Sequence, residues 1–543
     1  MTAKEIIETL AIDLESITNP VIKLILGRLL NIIEAQADTI KELRLENQLL
    51  RDENNRLKGE QGKPFIRKQS AGFGDISSEA ERKSPKEKKA RKSKAKKYKI
   101  KIDRIERCAM DEALLPSDAV FKGYNSIVIQ DLVIKTDNIE FQRACYYSPS
   151  QNKSFIAPLP VGYSGEFGPN IRSMIIDFHT NMNMTESAIA MFFKNQGILI
   201  SAATISRILT DNHEIFHEEK QAIVDAGLTS SSCKQMDDTS GRVKGQNHVV
   251  HILCNQLFTA YFTRKRKDRL TILEILTQGT LNFQCNETAY SLMKELKLPN
   301  KTLEKVRLTA TEEVMSQSEM DQLLSSLFPN PQKHQTNRRI IMEACAIAAY
   351  RQLPHAVKTL LCDDAPQFKQ ITEFLALCWI HDGRHYKKLE PIMPTNRKLL
   401  DDFLDRYWAY YHMLLEYKAV PTKEKVTSLS AEFDKLFSSE TGYDKLDQRI
   451  AKTKAKKAFL LLVLDDPSIP LHNNTSELGA RAQARKRDIS LHTMNAKGTE
   501  AKDTFMTLMQ TAKKLGVNGY RYIYDRISKT YAMPSLASLI NAG

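Results

Sequence analysis

Three acidic motifs carry side chains able to do phosphoryl chemistry: Asp237-Asp238-Thr239, Cys362-Asp363-Asp364 and Asn474-Thr475-Ser476-Glu477. The run 231–236 reads as a strand ending in Asp237, and a polar, glycine-bearing turn leads to two further apolar strands at 247–254 and 257–263. A buried-type strand over 355–361 again ends in acid, at Asp363. Glu477 falls in the first turn of a helix for which Asn474 is a natural N-cap. Carboxylate oxygens are the hard ligands that Mg²⁺ prefers and shares with phosphate. Two such ions, or Mn²⁺ in their place, can activate a water or 3′-hydroxyl and steady the departing oxygen of an in-line displacement at phosphorus. Each acid alone has a plainer reading. Asp at a strand end is a common turn former. Asn-x-x-Glu is close to a capping box, and Glu477 and Arg481 are spaced for an i,i+4 ion pair. Asp364 rivals Asp363 for the second position.

The combination says more than its parts. Strand-Asp, strand-Asp and helix-Glu, in that order, is the arrangement by which a ribonuclease-H-like fold binds two Mg²⁺. The expected class is therefore α/β and multidomain, with a ribonuclease-H-like catalytic core over 229–530 carrying helical insertions at about 276–352 and 395–459. The aromatic run Arg406-Tyr407-Trp408-Ala409-Tyr410-Tyr411 in the second insertion fits helix packing better than base stacking. Ahead of the core, 169–228 has helical periodicity. Thr185 and Ser201 read as N-caps of two short helices around a turn containing Gly197, a helix-turn-helix candidate. There Ile189, Ile198 and Ile205 pack inside, while Thr204 and Arg207 face a groove or phosphate; a plain helical hairpin is the alternative. Apolar runs at 126–134 and 141–147 suggest a small β-rich module over 102–168, and 531–543 reads as a C-terminal tail.

At the N-terminus, segment 1–60 carries a heptad over 33–57 with Ile33, Ile40, Asn47 and Asn54 at a and Gln36, Leu43, Leu50 and Leu57 at d. This predicts a coiled coil that forms a homodimer or higher oligomer, parallel because Asn at a pairs across the seam; a single amphipathic helix packed on the body is the alternative. Segment 61–101 is polar, with twelve Lys or Arg against one Glu between positions 82 and 101. It is expected to be disordered alone. It serves either as a solvated linker or, through Lys88, Lys89, Arg91 and Lys92, as a tether that releases counterions on a DNA duplex. The net charge of +14 suits a polyanionic partner. Eight scattered cysteines without a CxxC pair argue against a disulfide framework and against zinc. No apolar run approaches the ~20 residues of a membrane span, and the N-terminus lacks the order of a signal peptide. The expectation is a cytoplasmic protein with no membrane partner.

Three blocks resemble the insertion-sequence-66 family of DDE transposases. They are Gln235-Met236-Asp237-Asp238-Thr239 with Gly245, Leu377-Cys378-Trp379-Ile380-His381-Asp382-Gly383-Arg384, and Ile469-Pro470-Leu471-His472-Asn473-Asn474 through Glu477 to Arg481. The likeness extends to Gly165-Glu166-Phe167-Gly168-Pro169 and Thr511-Ala512-Lys513-Lys514-Leu515-Gly516, so it covers roughly 100–530. It implies a DDE core in which Asp237, Asp363 and Glu477 hold the metals. His381 and Arg384, expected just past a strand at 375–380, match the family's Cys-Trp-x-His-x-x-Arg pattern and touch phosphate or steady the site, a buried strand-capping His being equally open. Asn473 and Asn474 orient the Glu477 helix or contact DNA, with capping preferred for Asn474, and Arg481 lies on the same helix toward DNA. Two departures stand out. The first motif commonly reads Asp-Glu-Thr where this chain has Asp237-Asp238-Thr239, and the cysteine-rich element that many relatives carry after the basic linker is represented only by Cys108.

The resemblance implies a bacterial, nucleoid-associated transposase acting on the terminal inverted repeats of its own element and on target DNA, with accessory proteins of the element as further partners. A catalytically silent DNA-binding dimer derived from such an enzyme, or a structure-specific nuclease of the same fold, are the alternatives.

Overall fold

The computed structural model describes residues 17–58, 100–111, 114–116 and 118–543. The tract holding Lys88, Lys89, Arg91 and Lys92 lies outside the described residues.

Helix α1 (Pro20–Leu57) is continuous. Leu30, Asn31 and Glu34 are buried on one side of it. The Glu34 carboxylate accepts from the Ile392 amide at 3.0 Å, the Asn396 side chain at 2.8 Å and the Tyr443 hydroxyl at 3.1 Å, and these donors offset its desolvation. The heptad positions Ile33, Ile40, Leu43, Leu50 and Leu57 remain exposed. The helix thus packs on the body through Leu30, Asn31 and Glu34, while the a and d side chains stay exposed.

Of the β-rich module, only the hairpin of β1 (Cys145–Ser148) and β2 (Lys153–Ile156) forms among the described residues of 102–168. The run 126–134 is not a strand: Ile127, Ile129, Leu132 and Val133 are each about four-fifths exposed, with no second strand to pair against.

Four helices follow: α2 (Pro169–Thr180), α3 (Glu186–Asn195), α4 (Ala202–Thr210) and α5 (Glu214–Thr229). The Thr185 and Ser201 hydroxyls cap α3 and α4 by accepting from the amides of Ala188 at 3.2 Å and Thr204 at 3.1 Å. Gly197, at φ +79°, makes the left-handed turn between them. Ile189 and Ile205 are fully buried.

The central sheet is built from β3 (Cys233–Val243), β4 (Gln246–Cys254), β5 (Thr259–Arg264), β8 (Thr359–Cys362) and β9 (Phe374–Leu377) in spatial order β5-β4-β3-β8-β9. The first three strands are antiparallel in sequence, and β8 and β9 run parallel to β3. β3 does not stop at the acids as expected. It continues to Val243 and turns through Lys244 (φ 49°) and Gly245 (φ 76°), a pair of positive φ values that suits a two-residue hairpin.

The first insertion contains α6 (Arg269–Leu276), α7 (Glu287–Glu295), α8 (Asn300–Thr309), α9 (Gln317–Leu327) and α10 (Gln335–Arg351), with a minimal ribbon of β6 (Phe283–Gln284) and β7 (Val314–Met315). After β9 come α11 (Trp379–Lys387) and the second insertion, α12 (Pro394–Ala419), α13 (Lys423–Leu436), α14 (Asp444–Lys454) and α15 (Lys457–Leu460). Tyr407, Tyr410 and Tyr411 are buried there, with ring centroids of Tyr407 and Tyr410 5.6 and 5.5 Å from Trp379. The aromatic run is packing, as its spacing indicates.

The chain closes with α16 (Asn474–Ser490), α17 (Ala496–Lys514), α18 (Gly519–Ile527) and α19 (Leu536–Ala542). The expected tail is in fact a docked helix: Leu536 and Ile540 are buried, and α19 packs on α5. Helix α17 covers the free edge of β5. Asp503, Thr507 and Thr511, spaced four apart on one helical face, accept from the backbone amides of Thr263 at 2.6 Å, Tyr261 at 3.1 Å and Thr259 at 3.2 Å. Side chains thereby replace a neighbouring strand and remove an edge otherwise open to pairing. One continuous apolar core runs from Ile175 to Ile540, so the 169–228 helices share it with the sheet and have no core of their own.

Candidate active site

Asp237 sits in mid-strand on β3, opposite Ile252 of β4. Asp363 follows the last residue of β8, the parallel neighbour of β3. Glu477 lies in the first turn of α16, which crosses β3 and β4. Burial pushes the Asp237 carboxyl up to about 7, and the negative charges of Asp363, Asp238 and Glu477 act in the same direction. Burial also raises Asp363, whose Oδ1 accepts from the Ala365 amide at 3.2 Å. Asp237 therefore feels the charge of the other two predicted acids, which stand on two further elements.

The neighbouring acids are otherwise engaged. Successive strand residues face opposite ways, and Asp238 accepts from Lys267 at 2.6 Å and from the Gln367 amide at 2.8 Å. Asp364 is held by Lys369 at 2.9 Å and Lys456 at 2.7 Å. Burial alone would raise its carboxyl, but those two lysines bring it below the usual range.

Glu477 is engaged by helix α11. Its carboxylate accepts from the Arg384 guanidinium at 3.0 and 3.4 Å and lies 3.4 Å from His381 Nε2. Asn474 is not the cap expected of it: it is the first helical residue, its amide donating to His472 Nδ1 at 3.3 Å. The strand expected at 375–380 ends at Leu377, and Trp379 opens α11, its indole N–H donating to the Leu460 carbonyl at 2.9 Å. His381 and Arg384 consequently sit one turn apart on a helix, not beyond a strand, and burial holds the His381 imidazole below its ordinary value. A cavity of about 360 Å³ opens between them, lined by Asp363, His381, Arg384, His385, Lys388 and Lys456 among others. Its lining sets these cationic and imidazole side chains beside three acids, Asp363, Asp364 and Asp382.

The other predicted contacts divide. Asn473 is fully buried beside His381. Arg481 is half-buried one turn beyond Glu477. Thr204 and Arg207 lie together on α4, joined by a 3.1 Å hydrogen bond, with Arg207 exposed. They are separate from the acids. Sequence reasoning missed Gly479. A Cβ there would stand 2.9 Å from Ile252 Cγ2, and the Gly479 carbonyl accepts from the Tyr261 hydroxyl at 3.0 Å. A glycine inside a helical pattern is the available signal of such close approach. Lys267 and Gln367 had no signal.

Among the described residues no three His, Cys, Asp or Glu side chains are arranged to hold a metal ion. The donor chemistry nevertheless fits a hard divalent cation: Asp237 and Asp363 are carboxylates raised first by burial and then by neighbouring acids, a penalty that a bound cation would relieve. No helix of the described residues is long and apolar enough to cross a membrane.

The family model described as Transposase IS66 family matches residues 347–501, a span that holds Asp363, His381, Arg384 and Glu477. The chain is 31% identical over 322 residues to the uncharacterized protein y4jO of Sinorhizobium fredii (strain NBRC 101917 / NGR234), across 58% of this chain and 98% of that protein. No solved structure matches the chain. A relative aligned over nearly its whole length, and a family model centred on the β8 to α16 half of the site, together establish that the chain belongs to the IS66 transposase family.

Proposed function

We propose that the chain is a DDE transposase that binds the ends of a bacterial insertion sequence, cleaves a strand there and joins the freed 3′-hydroxyl to target DNA. The observation that carries this reading is the convergence of Asp237, Asp363 and Glu477 from a central strand, its parallel neighbour and a crossing helix. The strand order β5-β4-β3-β8-β9, with only β4 running against β3, β5 and the two later strands, supports a ribonuclease-H-like core. Asp237 and Asp363 would hold divalent metal, with Glu477 joining once it exchanges Arg384 and His381. When bound, Mg²⁺ or Mn²⁺ supplies charge neutralisation at the scissile phosphate and an activated oxygen nucleophile. Lys267 and Gln367 hold Asp238 off the site, and Lys369 and Lys456 do the same for Asp364. Arg384, released from Glu477, is placed to meet phosphate in the adjoining cavity. Thr204 and Arg207 on α4 fit a helix-turn-helix reading of duplex DNA, and the exposed α1 seam fits pairing with a second copy.

A catalytically silent DNA-binding protein is favoured by one observation, the capture of Glu477 by Arg384. The test incubates purified protein with labelled DNA flanking its gene and Mg²⁺. Nicked and joined products are expected. Binding without cleavage, even with the element's helper proteins added, supports the silent reading, and cleavage without joining supports a nuclease.

A further inference from the structure

A cavity of about 530 Å³ lies apart from the acids, between the α3–α4 helix pair, the tip of the β3–β4 hairpin, the later turns of α16 and the start of α17. Two side chains lining it are buried without the partner their chemistry requires. Lys486 is 2% exposed, and among the described residues its ammonium donates to the His179 carbonyl and has no carboxylate within ion-pair distance. Burial draws that ammonium down to about 7. Gln483, one turn earlier on the same helix, is 3% exposed, and its Oε1 accepts no hydrogen bond. A buried ammonium with no carboxylate in ion-pair contact, only the more distant Glu186 charge, and a buried acceptor without a donor are both unfavourable. Both are relieved by one ligand that brings an anion beside an N–H group.

The remaining walls narrow the choice. Leu209, Phe505 and Met506 are apolar and buried, and Arg242 stands at the hairpin tip with Glu186 as the single acid of the lining. At the rim, Leu491 is held at φ +41° and ψ −59° by the His492 amide donating to the Ser490 carbonyl. This is a strained γ-turn of the kind that persists at ligand sites. An anion, an N–H donor and a flat apolar body together describe a nucleotide. Gln483 and Lys486 lie beyond Glu477 on the same helix by about 9–14 Å at 1.5 Å per residue, or about three to four nucleotides at 3.4 Å each along a strand.

We propose that this cavity takes one unpaired base and its phosphate from a DNA strand, a few nucleotides from the bond to be cut, with Gln483 accepting from the base and Lys486 meeting the phosphate. The proposal rests on the DNA strand-transfer reading above.

The test measures binding of the full chain to a labelled, fully paired duplex and to the same duplex with a short single-stranded tail containing 2-aminopurine. Wild type is expected to prefer the tailed DNA and to raise 2-aminopurine emission as the base leaves its stack. Gln483→Leu removes the orphaned acceptor at little change in volume and should keep its melting temperature. It and Lys486→Gln should each weaken tailed-DNA binding about tenfold, the loss of one strong hydrogen bond, while leaving paired-duplex binding unchanged. If Lys486→Gln unfolds, Gln483→Leu decides alone. Wild-type binding of both DNAs with equal affinity and unchanged emission overturns the cavity's role and leaves the DNA reading intact. Failure to bind either DNA overturns both. A melting temperature raised by deoxyadenosine monophosphate without any preference for the tail assigns the cavity to a free nucleotide and overturns the strand.

Discussion

Replacing Asp237 with Asn should make the metal-free protein more stable at pH 8. The carboxyl stands at about 7 against an ordinary 3.8, raised by burial first and by neighbouring acids second. That difference corresponds to about 4 kcal/mol at 1.36 kcal/mol per pH unit. Asp237 keeps some solvent access, so about 2 kcal/mol is the expected effect after screening. The sign follows from proton binding. A carboxyl raised on folding holds its proton longer in the folded state, so it adds no penalty below 3.8, a growing penalty as pH climbs from 3.8 to about 7, and the full penalty above that. Asn is isosteric and still accepts from the Asp238 amide, now at 2.8 Å. Thermal melting in chelator at pH 8 should therefore show Asp237→Asn above wild type by roughly 4 °C, at about 2 °C per kcal/mol for a large domain. At pH 5 about a third of the gap should remain. Saturating Mg²⁺ should reverse the order by stabilising wild type alone. A variant that melts below wild type at pH 8 without metal, or a gap independent of pH, would refute the reasoning.

Three further perturbations test the scaffold. Gly479→Ala places a methyl 2.9 Å from the buried Ile252 side chain. It should destabilise by about 1–3 kcal/mol and depress strand transfer more than DNA binding, as read by melting and gel assays. Thr507→Val removes the acceptor for the Tyr261 amide on the β5 edge and should cost about 1–3 kcal/mol in denaturant unfolding, whereas Thr507→Ser should be nearly neutral. Glu34→Ala strips the Ile392 amide, Asn396 and Tyr443 of their shared acceptor. It should loosen α1 from the body, which protease digestion after α1 reports, and leave the exposed seam unchanged.

The acids were legible because apolar, β-branched runs such as 247–254 and 355–361 mark strands of one sheet, with Asp237 on the strand paired to the first and Asp363 just past the end of the second. The length of β3 was not. Asp238-Thr239-Ser240-Gly241-Arg242 reads as turn, yet nine cross-strand partners with β4 hold it extended, a case of pairing overriding local preference. The Leu375–Ile380 run suits a strand or a buried helix equally, and the Trp379 to Leu460 bond that decides it joins residues 81 positions apart. Periodicity alone does not separate the two. The caps Thr185 and Ser201 were readable because capping is local. The Asp503, Thr507 and Thr511 ladder was invisible, since its purpose exists only once β5 lies beneath it. At 126–134 the strand pattern misled, because a strand needs a neighbour as well as a sequence.

The most direct measurement compares wild type with Asp237→Asn, Asp363→Asn, Glu477→Gln and Asp364→Asn for Mg²⁺-dependent joining of labelled element ends. The account predicts that the first three bind DNA and join nothing, while Asp364→Asn, whose carboxylate is held by Lys369 and Lys456, retains joining. Joining that survives in any of the first three, or that is lost in Asp364→Asn while Asp363→Asn stays active, would contradict it.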